Sequence, residues 1–321
     1  MDRAATDAGP VSRSIAVAIP CFNEAVTIAR VIVDFRRSLP EASIHVFDNR
    51  SSDETAQIAV QAGAQVHFVP EPGKGEVVRA IFRELDADVI VIVDGDGTYP
   101  AVRVRDLVAP VLDGKAEMAV ATRLAQYQPA SFPVLHVAGN RLVLRFINLL
   151  FGTHLSDVFS GYRAFSRRFV KSMPVLSSGF EVETEITLHA LEYRKAITEI
   201  PVAYGARPRG SVSKLSTLRD GGRVVATLLR LYKDYRPLIF FGVPGGLLLV
   251  AGAFAGLLTV GEFVDSGRVV GIARAVFAVS CCLLGTASVA TGFILDTVNR
   301  RARELYTLVA DHLVEGRSKS R

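Results

Sequence analysis

Two aspartates follow directly on an apolar run, and their spacing makes them candidates for holding a divalent cation. Residues 91–100 read VIVDGDGTYP, in which one glycine separates Asp94 from Asp96. Two carboxylates at positions i and i+2 can reach one hard cation, and a cation that carries phosphates would offset their mutual repulsion. Because Asp and Gly are also ordinary turn residues, a plain turn is the alternative. An EF-hand loop is excluded, since Arg105 stands where its closing glutamate belongs.

The apolar run before these aspartates is one of several short aliphatic segments that alternate with helical patterns. Strand-like segments cover residues 15–19, 43–47, 65–69 and 89–93, and helical spacing covers residues 24–38, a segment opening at 52–55, and residues 75–85. This alternation predicts a mainly parallel α/β sheet that is buried by helices. In such sheets ligands bind beyond the carboxyl ends of the strands. The polar clusters PCFNE, DNRSSD and DGDGTYP are therefore expected to meet in one cleft.

The C-terminal third contains two long uncharged stretches. Residues 237–260 and 275–295 carry no charged side chain, and each can cross a hydrocarbon core of about 30 Å at about 1.5 Å per residue. A pair of buried helices in a soluble protein is the alternative. Basic residues precede the first stretch and follow the second, so the positive-inside rule places both flanks in the cytosol.

The preference for Arg over Lys is typical of GC-rich bacteria, which makes the bacterial plasma (inner) membrane the expected location.

Composition excludes several other classes of protein. The formal net charge of +5 is too small to indicate nucleic-acid binding. Three cysteines, two of them adjacent in an apolar run, do not form a disulfide framework. The first residues are polar and lack the apolar segment of a secretory signal, so we expect the preceding domain and both termini to be cytosolic.

Six motifs, in order along the chain, resemble those of family 2 glycosyltransferases with the GT-A fold. The motifs are PCFNEA, FDNRSSDET, PGKG, DGDGTYP, DVFSGYRAF and RPRGSVSKL. With the two apolar stretches that follow, they are similar to the polyprenyl-phosphate branch of that family, which includes dolichyl-phosphate mannose synthase and GtrB-like enzymes. The resemblance implies a Rossmann-like, mainly parallel sheet flanked by helices and followed by two transmembrane helices.

The resemblance also implies roles for individual residues. Asp94 and Asp96 would hold Mg²⁺ or Mn²⁺ on the donor diphosphate and, with Arg163, form the catalytic set. The implied donor-binding residues are Pro20, Asn23, Glu24, Asp48, Lys74, Asp94 and Gly95. The implied contacts to phosphate in the later motifs are Ser160, Arg163, Arg207, Ser213 and Lys214. Many relatives have DADLQ where this chain has DGDGT, so the donor sugar is not implied.

A lipid monophosphate acceptor would need orientation and cations rather than a general base. Its second pKa of about 6 makes it largely a dianion at neutral pH. Arginine and lysine are the natural partners of such a group, and on this ground Arg123 and Arg141 join the acceptor candidates. A solvated surface charge is the alternative for each arginine. Glu181, Glu183 and Glu185 could include a base, but a solvated helix start is the favoured interpretation.

Two basic, apolar segments are expected to contact the membrane. Residues 133–151 predict a helix with Arg141 and Arg145 on one face, and this helix either lies at the membrane interface or packs in the core. Residues 219–236 have the pattern of an amphipathic helix on an anionic leaflet. The predicted organisation is a disordered N-terminus at 1–13, a catalytic domain at 14–215, an amphipathic juxtamembrane helix at 216–236, transmembrane helices at 237–260 and 270–297, an extracytoplasmic hairpin at 261–269, and a cytosolic basic tail at 298–321.

These features predict a metal-dependent transferase, and the resemblance implies that it inverts the configuration of the sugar. It would move a hexose-type sugar from a nucleotide donor, UDP-linked by preference, to polyprenyl phosphate at the cytosolic face for cell-envelope glycan assembly. A transferase to a hydroxyl acceptor and a non-catalytic nucleotide-sugar-binding scaffold are the alternatives. A processive synthase is disfavoured, because the chain has no Trp for the QxxRW motif. Small residues in the first apolar stretch (Gly252, Ala253, Ala255 and Gly256) would allow packing between protomers, and the resemblance suggests a tetramer.

Overall fold

The chain divides into two compact units, residues 1–215 and residues 216–321. The structure is a computed structural model, and it describes residues 13–123, 134–179, 181–205 and 229–318. Three of the predicted phosphate-binding residues, Arg207, Ser213 and Lys214, lie outside the described residues, as does most of the predicted N-terminal and juxtamembrane segments.

A seven-stranded mixed sheet forms the centre of the first unit. Its strands are β1 (Ile15–Cys21), β2 (Ser43–Asp48), β3 (Gln65–Phe68), β4 (Val89–Ile92), β5 (Met118–Thr122), β6 (Arg163–Ser166) and β7 (Ile197–Pro201). The spatial order is β3-β2-β1-β4-β6-β5-β7. Strand β6 runs antiparallel to both of its neighbours, whereas the other adjacent strands pair in parallel. The predicted mainly parallel α/β sheet is confirmed.

The helices of this unit are α1 (Ile28–Ser38), α2 (Thr55–Gln61), α3 (Lys74–Glu84), α4 (Val104–Leu112), α5 (Val134–Phe151), α6 (Arg167–Ser172) and α7 (Val182–Glu192). Residues of α1, α2 and α4 line the core on one face of the sheet, and residues of α3, α6 and α7 line the core on the other. Alternate side chains of β1 enter different cores, with Val17 packing among residues of α1 and α4 and Ala18 among residues of α3, α6 and α7. Strands that are apolar on both faces are buried on both faces, which explains the near-continuous aliphatic runs.

The antiparallel strand β6 brings a distant motif to the metal-candidate loop. Its first residue, Arg163, pairs with Ile92 at the carboxyl end of β4. The segment SGYR, which enters β6, therefore lies beside the DGDG segment, which leaves β4. No predicted strand covered this region, because four residues that read RAFS carry too little pattern to identify a strand.

The second unit consists largely of two long helices, α8 (Pro237–Ser266) and α9 (Ile272–Ser318). Both are long and apolar enough to cross a membrane, by length and composition. The helical boundaries differ from the predicted ones. Helix α8 continues through Ser266 and ends where Gly267 adopts a left-handed conformation with φ of 66°, so the predicted connection at 261–269 shortens to residues 267–271. Helix α9 also continues through most of the predicted tail at 298–321.

Glycines allow α8 to approach α9 closely. A Cβ atom at Gly252 would lie 2.7 Å from the Cys282 Sγ, and one at Gly245 would lie 2.9 Å from the Gly285 carbonyl oxygen. Gly252 and Ala255 were expected to serve contacts between protomers, but both are buried within this unit. The small residues thus serve packing inside the chain first, since only a glycine fits at these close approaches.

We expect Gly252→Val to lower the melting temperature of the detergent-purified protein by about 5 °C, because overpacking at a close helix contact costs roughly 1–3 kcal/mol. Gly256→Val is the matched control, since it makes the same change in the same helix, where an added Cβ atom would lie 4.0 Å from the Ala278 Cβ. Circular dichroism at 222 nm during heating measures both. Equal shifts for the two variants would contradict close packing at Gly252.

Candidate active site

The loops that follow β1, β2 and β4 meet at one edge of the sheet, as predicted from the parallel strands. The Thr27 hydroxyl donates a hydrogen bond to the Gly95 carbonyl oxygen at 2.6 Å, which joins the first loop to the DGDG loop. The Glu24 amide donates to the Thr55 hydroxyl at 2.9 Å, which joins the first loop to the loop after β2. The cleft edge is therefore a single hydrogen-bonded framework.

Two donor-site candidates on the first loop have structural roles in this framework. Asn23 adopts a left-handed conformation with φ of 55°, and its amide oxygen accepts a hydrogen bond from the Ser52 amide at 2.8 Å. Pro20 lies in β1 and pairs with Phe47 of β2. Asn and Asp tolerate this backbone conformation better than most residues, which explains the asparagine in PCFNE.

Asp48 carries an unsatisfied acceptor inside the cleft edge. The residue is 4% exposed, and its Oδ2 accepts a hydrogen bond from the Ser51 amide at 3.2 Å. Its Oδ1 is buried and has no hydrogen-bond partner among the described residues. A buried carboxylate oxygen without a partner is costly, so the position suits a ligand that donates an N–H or O–H group.

Asn49, which sequence reasoning passed over, ties the loop after β2 to the segment before α3. Its amide nitrogen donates to the carbonyl oxygens of Val69 (3.1 Å) and Glu71 (2.6 Å). Its amide oxygen accepts from the Gly73 amide at 2.8 Å. The backbone that leads to Lys74 is thereby fixed against the sheet edge.

The two candidate metal-binding aspartates have different environments. Asp94 is partly exposed, and its Oδ1 lies 2.6 Å from the Lys74 Nζ. Asp96 is 3% exposed, and its Oδ1 accepts hydrogen bonds from the Thr98 hydroxyl at 2.6 Å and the Thr98 amide at 3.1 Å. Within the described residues no group of three or more His, Cys, Asp or Glu side chains could hold a metal ion.

This donor set fits a hard divalent cation that shares its coordination with a ligand. Mg²⁺ is usually bound by one or two carboxylates, several waters and substrate phosphates rather than by a complete protein cage. Asp94 and Asp96 supply two carboxylates one residue apart, and Gly95 allows the backbone to pass against β1. A Cβ atom there would lie 2.7 Å from the Cys21 Sγ.

Lys74 lies between two carboxylates, one of which was not expected in the site. Its Nζ is 2.6 Å from Asp94 Oδ1 and 2.5 Å from Glu183 Oε1. Burial alone would lower the pKa of Lys74, but the charges of Asp94 and Glu183 raise it above its ordinary value. Lys74 is therefore a permanent cation at the cleft.

The expectation of a solvated helix start at Glu181, Glu183 and Glu185 is wrong for two of the three. Glu183 is 7% exposed and paired with Lys74. The Glu185 carboxylate accepts hydrogen bonds from the amides of Leu176 (2.8 Å) and Ser177 (2.9 Å). Only Glu181 is exposed. The partners of the other two come from segments that the local sequence pattern does not show.

Arg163 has an environment different from the expected one. It is 2% exposed, and its guanidinium donates hydrogen bonds to the carbonyl oxygens of Ser160 (2.8 Å) and Val158 (2.9 Å) and to the Thr187 hydroxyl (2.9 Å). These donors hold the loop before β6 in place instead of facing a phosphate. Arg163 therefore supports this loop, and its role as a phosphate contact stays a prediction.

Ser160 is also directed into the protein. It is fully buried, and its hydroxyl lies 3.2 Å from the Tyr99 hydroxyl, which accepts a hydrogen bond from the Gly161 amide at 3.1 Å. Burial raises the pKa of Tyr99 above its ordinary value, so the phenol stays neutral. Tyr99, the tyrosine of DGDGTYP, thus joins the metal-candidate loop to the SGYR loop, a link that sequence reasoning missed.

Arg123 and Arg141 lie in contrasting surroundings. Arg123 forms two hydrogen bonds with the Asp157 carboxylate, at 2.8 and 3.1 Å, and its guanidinium carbon is 5.6 Å from the ring centroid of Tyr204. Burial alone would raise the pKa of Asp157, but Arg123 and backbone amides lower it below its ordinary value. Arg141 is exposed on α5, with Arg145 one turn further along.

Comparison with known proteins shows which protein family and which relatives this chain resembles. Residues 16–173 match the family model described as glycosyl transferase family 2. The chain is 33% identical over 286 residues to Glycosyltransferase AglJ of Haloferax volcanii, covering 87% of this chain and 94% of that protein. It is 26% identical over 223 residues to a dolichyl-phosphate hexose transferase of the same organism, covering 69% and 95%.

A solved structure shows a related fold with ligands. Glucosyl-3-phosphoglycerate synthase of Mycobacterium tuberculosis, in complex with Mn²⁺, UDP-glucose and phosphoglyceric acid, aligns with a TM-score of 0.55 and 25% identity. The alignment covers 68% of this chain and 79% of that one.

We expect Arg163→Leu to lower the melting temperature by roughly 10 °C, because it leaves buried carbonyl oxygens without donors, at about 1–3 kcal/mol each. Arg30→Leu removes an exposed arginine and should change the melting temperature little. Thermal denaturation of both variants tests this. An Arg163→Leu protein that kept its stability and lost only affinity for a phosphate-bearing acceptor would contradict the loop-supporting role.

We expect Gly161→Ala to weaken Mn²⁺ binding in the presence of UDP by about tenfold or more, since displaced support of a ligand carboxylate has effects of that size. A Cβ atom at Gly161 would lie 2.5 Å from Asp94 Oδ2, whereas one at Gly205 meets its nearest atom at 3.4 Å. Gly205→Ala is therefore the control, and calorimetric titration measures both. Unchanged Mn²⁺ affinity in Gly161→Ala would show that the position of Asp94 does not govern cation binding.

Proposed function

Because the chain belongs to glycosyl transferase family 2, we propose that it transfers a hexose-type sugar from a nucleotide donor to polyprenyl phosphate at the cytosolic face of a membrane. The donor is UDP-linked by preference, as in the solved structure that holds Mn²⁺ and UDP-glucose. The product is a lipid-phosphate-linked sugar with inverted configuration, formed in a single displacement and used in cell-envelope glycan assembly.

The proposal rests on two features at the same edge of the sheet. One is a buried carboxylate oxygen without a hydrogen-bond partner, and the other is the DGDG loop that carries the candidate metal ligands. Asp48 presents a buried oxygen without a partner, and Asp94 and Asp96 supply the carboxylates of the DGDG loop. Hydrogen bonds from Glu24 and Thr27 connect both loops. A nucleotide diphosphate has an N–H group on its base that can donate to Asp48, and its phosphate oxygens can share a cation with Asp94 and Asp96.

The proposed chemistry divides between a bound cation and the residues around it. Mg²⁺ or Mn²⁺ held by Asp94 and Asp96 would offset the charge that develops on the leaving diphosphate. Asp48 accepts a hydrogen bond from the nucleoside and fixes its orientation. Lys74 supplies a second positive charge beside the cation ligands. Arg163 and Tyr99 keep the SGYR loop in contact with this group.

An acceptor that needs no base suits this site. The Glu183 carboxylate, which is close to Asp94 through Lys74, is buried and engaged by the ammonium at 2.5 Å. A phosphate dianion is already nucleophilic and requires only cations to bind it. The proposed acceptor cations are Arg123, Arg141, Arg207 and Lys214, and Ser213 of the RPRGSVSKL motif is proposed to hydrogen-bond the same phosphate.

A membrane-bound lipid acceptor fits the rest of the chain. Helices α8 and α9 have the length and composition of membrane spans. The exposed face of α5 combines Arg141 and Arg145 with the exposed side chains of Leu142 and Leu149, which favours contact with an anionic lipid surface. A relative named as a dolichyl-phosphate hexose transferase supports the same acceptor class.

We also propose that the protein lies in the bacterial inner membrane, with the catalytic unit and both termini in the cytosol. We further propose that it forms a homo-oligomer, which the resemblance suggests is a tetramer.

The decisive experiment incubates the detergent-purified protein with undecaprenyl or decaprenyl phosphate, Mg²⁺ or Mn²⁺, and a panel of UDP-, GDP- and dTDP-sugars. Mass spectrometry of the lipid fraction should show one sugar on the lipid phosphate, and EDTA should abolish the product. Nucleotide release without a lipid product would favour another acceptor, such as a hydroxyl compound. No turnover of any donor would favour the non-catalytic scaffold.

We expect Asp94→Asn and Asp96→Asn each to lower the turnover by about 100-fold or more, because each removes charge that stabilises the leaving diphosphate. Asp113→Asn, which changes an exposed aspartate paired with Lys115, should retain activity. Initial rates of lipid glycosylation measure all three. Full activity in both active-site variants would rule out the metal-dependent mechanism.

A further inference from the structure

Lys74 occupies the position of a counterion at a predicted cation ligand. Its ammonium contacts Asp94 Oδ1 at 2.6 Å and Glu183 Oε1 at 2.5 Å, and all three side chains are at least partly buried. Asp96, the other predicted ligand, is instead stabilised by the Thr98 hydroxyl and amide. Asp94 thus already has an ammonium group at one of its carboxylate oxygens.

We propose that the Lys74 ammonium stands in for the divalent cation at Asp94 until a cation-bound donor arrives, and that Glu183 is the positioning residue that retains Lys74 when Asp94 is released. The inference rests on the proposed function, since it takes Asp94 as a cation ligand. It assigns a role to Glu183 that the motifs of the chain do not indicate.

The Lys74 ammonium affects how strongly a divalent cation can bind to Asp94. A divalent cation that approaches Asp94 must displace an ammonium from the same carboxylate oxygen, so the cation alone gains less by binding than it would at a bare aspartate. A cation that arrives with a diphosphate also brings anionic oxygens, which offer Lys74 a new partner. Binding of the cation and the diphosphate should therefore be coupled through Lys74.

The surroundings of Lys74 support a limited swing rather than a fixed ion pair. The backbone is held by the Gly75 amide, which donates to the Ser178 carbonyl oxygen at 3.0 Å, and by the Gly73 amide, which donates to Asn49. A lysine side chain is a flexible stem with a compact charge at its end. Its base is thus anchored while its ammonium can exchange Asp94 for a phosphate and keep Glu183.

Glu183 stabilises the buried Lys74 ammonium while that ammonium exchanges Asp94 for a phosphate. A buried ammonium that lost its sole carboxylate would be strongly destabilised. Because Glu183 is itself buried and lies on α7, it remains at the ammonium when Asp94 turns to the cation. Without Glu183, Lys74 would have Asp94 as its remaining carboxylate partner in these contacts and would compete with the cation more strongly.

The test is calorimetric titration of the full-length, detergent-purified protein with Mn²⁺ alone and with Mn²⁺ plus UDP. Lys74→Met should bind Mn²⁺ alone about tenfold more tightly than the unmodified protein, because the competing ammonium is gone. Glu183→Gln should bind Mn²⁺ alone several-fold more weakly. The gain in Mn²⁺ affinity on adding UDP should be smaller in Lys74→Met than in the unmodified protein.

A charge-matched variant separates the loss of the ammonium from the exposure of an unpaired Glu183. Lys74→Met combined with Glu183→Gln leaves the net charge unchanged and leaves no buried, ionised Glu183 without its ammonium partner, and it should still bind Mn²⁺ more tightly than the unmodified protein. Lys115→Met and Glu41→Gln change exposed surface pairs and should leave Mn²⁺ affinity unaltered.

Two contrary results separate this inference from the proposed function. If Asp94→Asn abolishes Mn²⁺ binding but Lys74→Met and the double variant bind Mn²⁺ no more tightly than the unmodified protein, the pair with Lys74 is structural and the inference is wrong. If Asp94→Asn leaves Mn²⁺ affinity unchanged, the assignment of Asp94 as a cation ligand fails, and the metal-dependent mechanism fails with it.

Discussion

Negative charge gathered at one edge of a buried sheet is the constraint around which the first unit is organised. The parallel strand β2 ends in Asp48, and Asp94 follows two residues after the end of β4. The loops after these strands add Asp53 and Asp96. Two of these four carboxylates accept hydrogen bonds from nearby residues: Asp53 from the amides of Ala25 and Thr55, and Asp96 from Thr98. Asp94 instead has Lys74, and one oxygen of Asp48 has no partner. The unsatisfied oxygen of Asp48, together with the carboxylates of Asp94 and Asp96, makes this edge the candidate binding site.

The antiparallel strand β6 gives this edge its second wall. Because β6 enters the sheet next to β4 in the opposite direction, the segment before it runs alongside the segment after β4. The Arg163 guanidinium donates hydrogen bonds to the carbonyl oxygens of that segment, and Gly161 packs directly against the Asp94 carboxylate. A motif arginine can therefore be essential to a site by holding a loop, without contacting a ligand. The same logic applies to Tyr99, whose hydroxyl accepts from the Gly161 amide.

The sequence allowed the parallel strands β1 to β4, the loops after them and the two apolar helices to be predicted, because each depends on a local pattern, whereas the parallel strands β5 and β7 were not predicted. Aliphatic runs identify strands that are buried on both faces, and Asp94 follows from the end of such a run. What failed were features that depend on distant partners. Glu183 looks like a solvated acid at a helix start until Lys74 is placed beside it, and Arg163 looks like a free cation until the carbonyl oxygens around it are known. The helix boundaries at Ser266 and Ser318 extend beyond the apolar stretches, since polar residues continue a helix without any hydrophobic signal.

The loop from Asp94 to Tyr99 links every part of the proposed site, and this explains its glycines. Gly95 offers its carbonyl oxygen to Thr27, and Thr98 offers its own to the Gly205 amide at 2.9 Å, next to the chain that carries Arg207 and Lys214. Relatives with DADLQ carry an alanine in place of Gly95, but here its Cβ atom would come within 2.7 Å of the Cys21 Sγ. The glycine is therefore matched to a cysteine on β1 at this point. Alanine at position 95 would require the Cys21 side chain to move or a smaller residue at position 21, so the metal motif and the end of the first strand are coupled by packing.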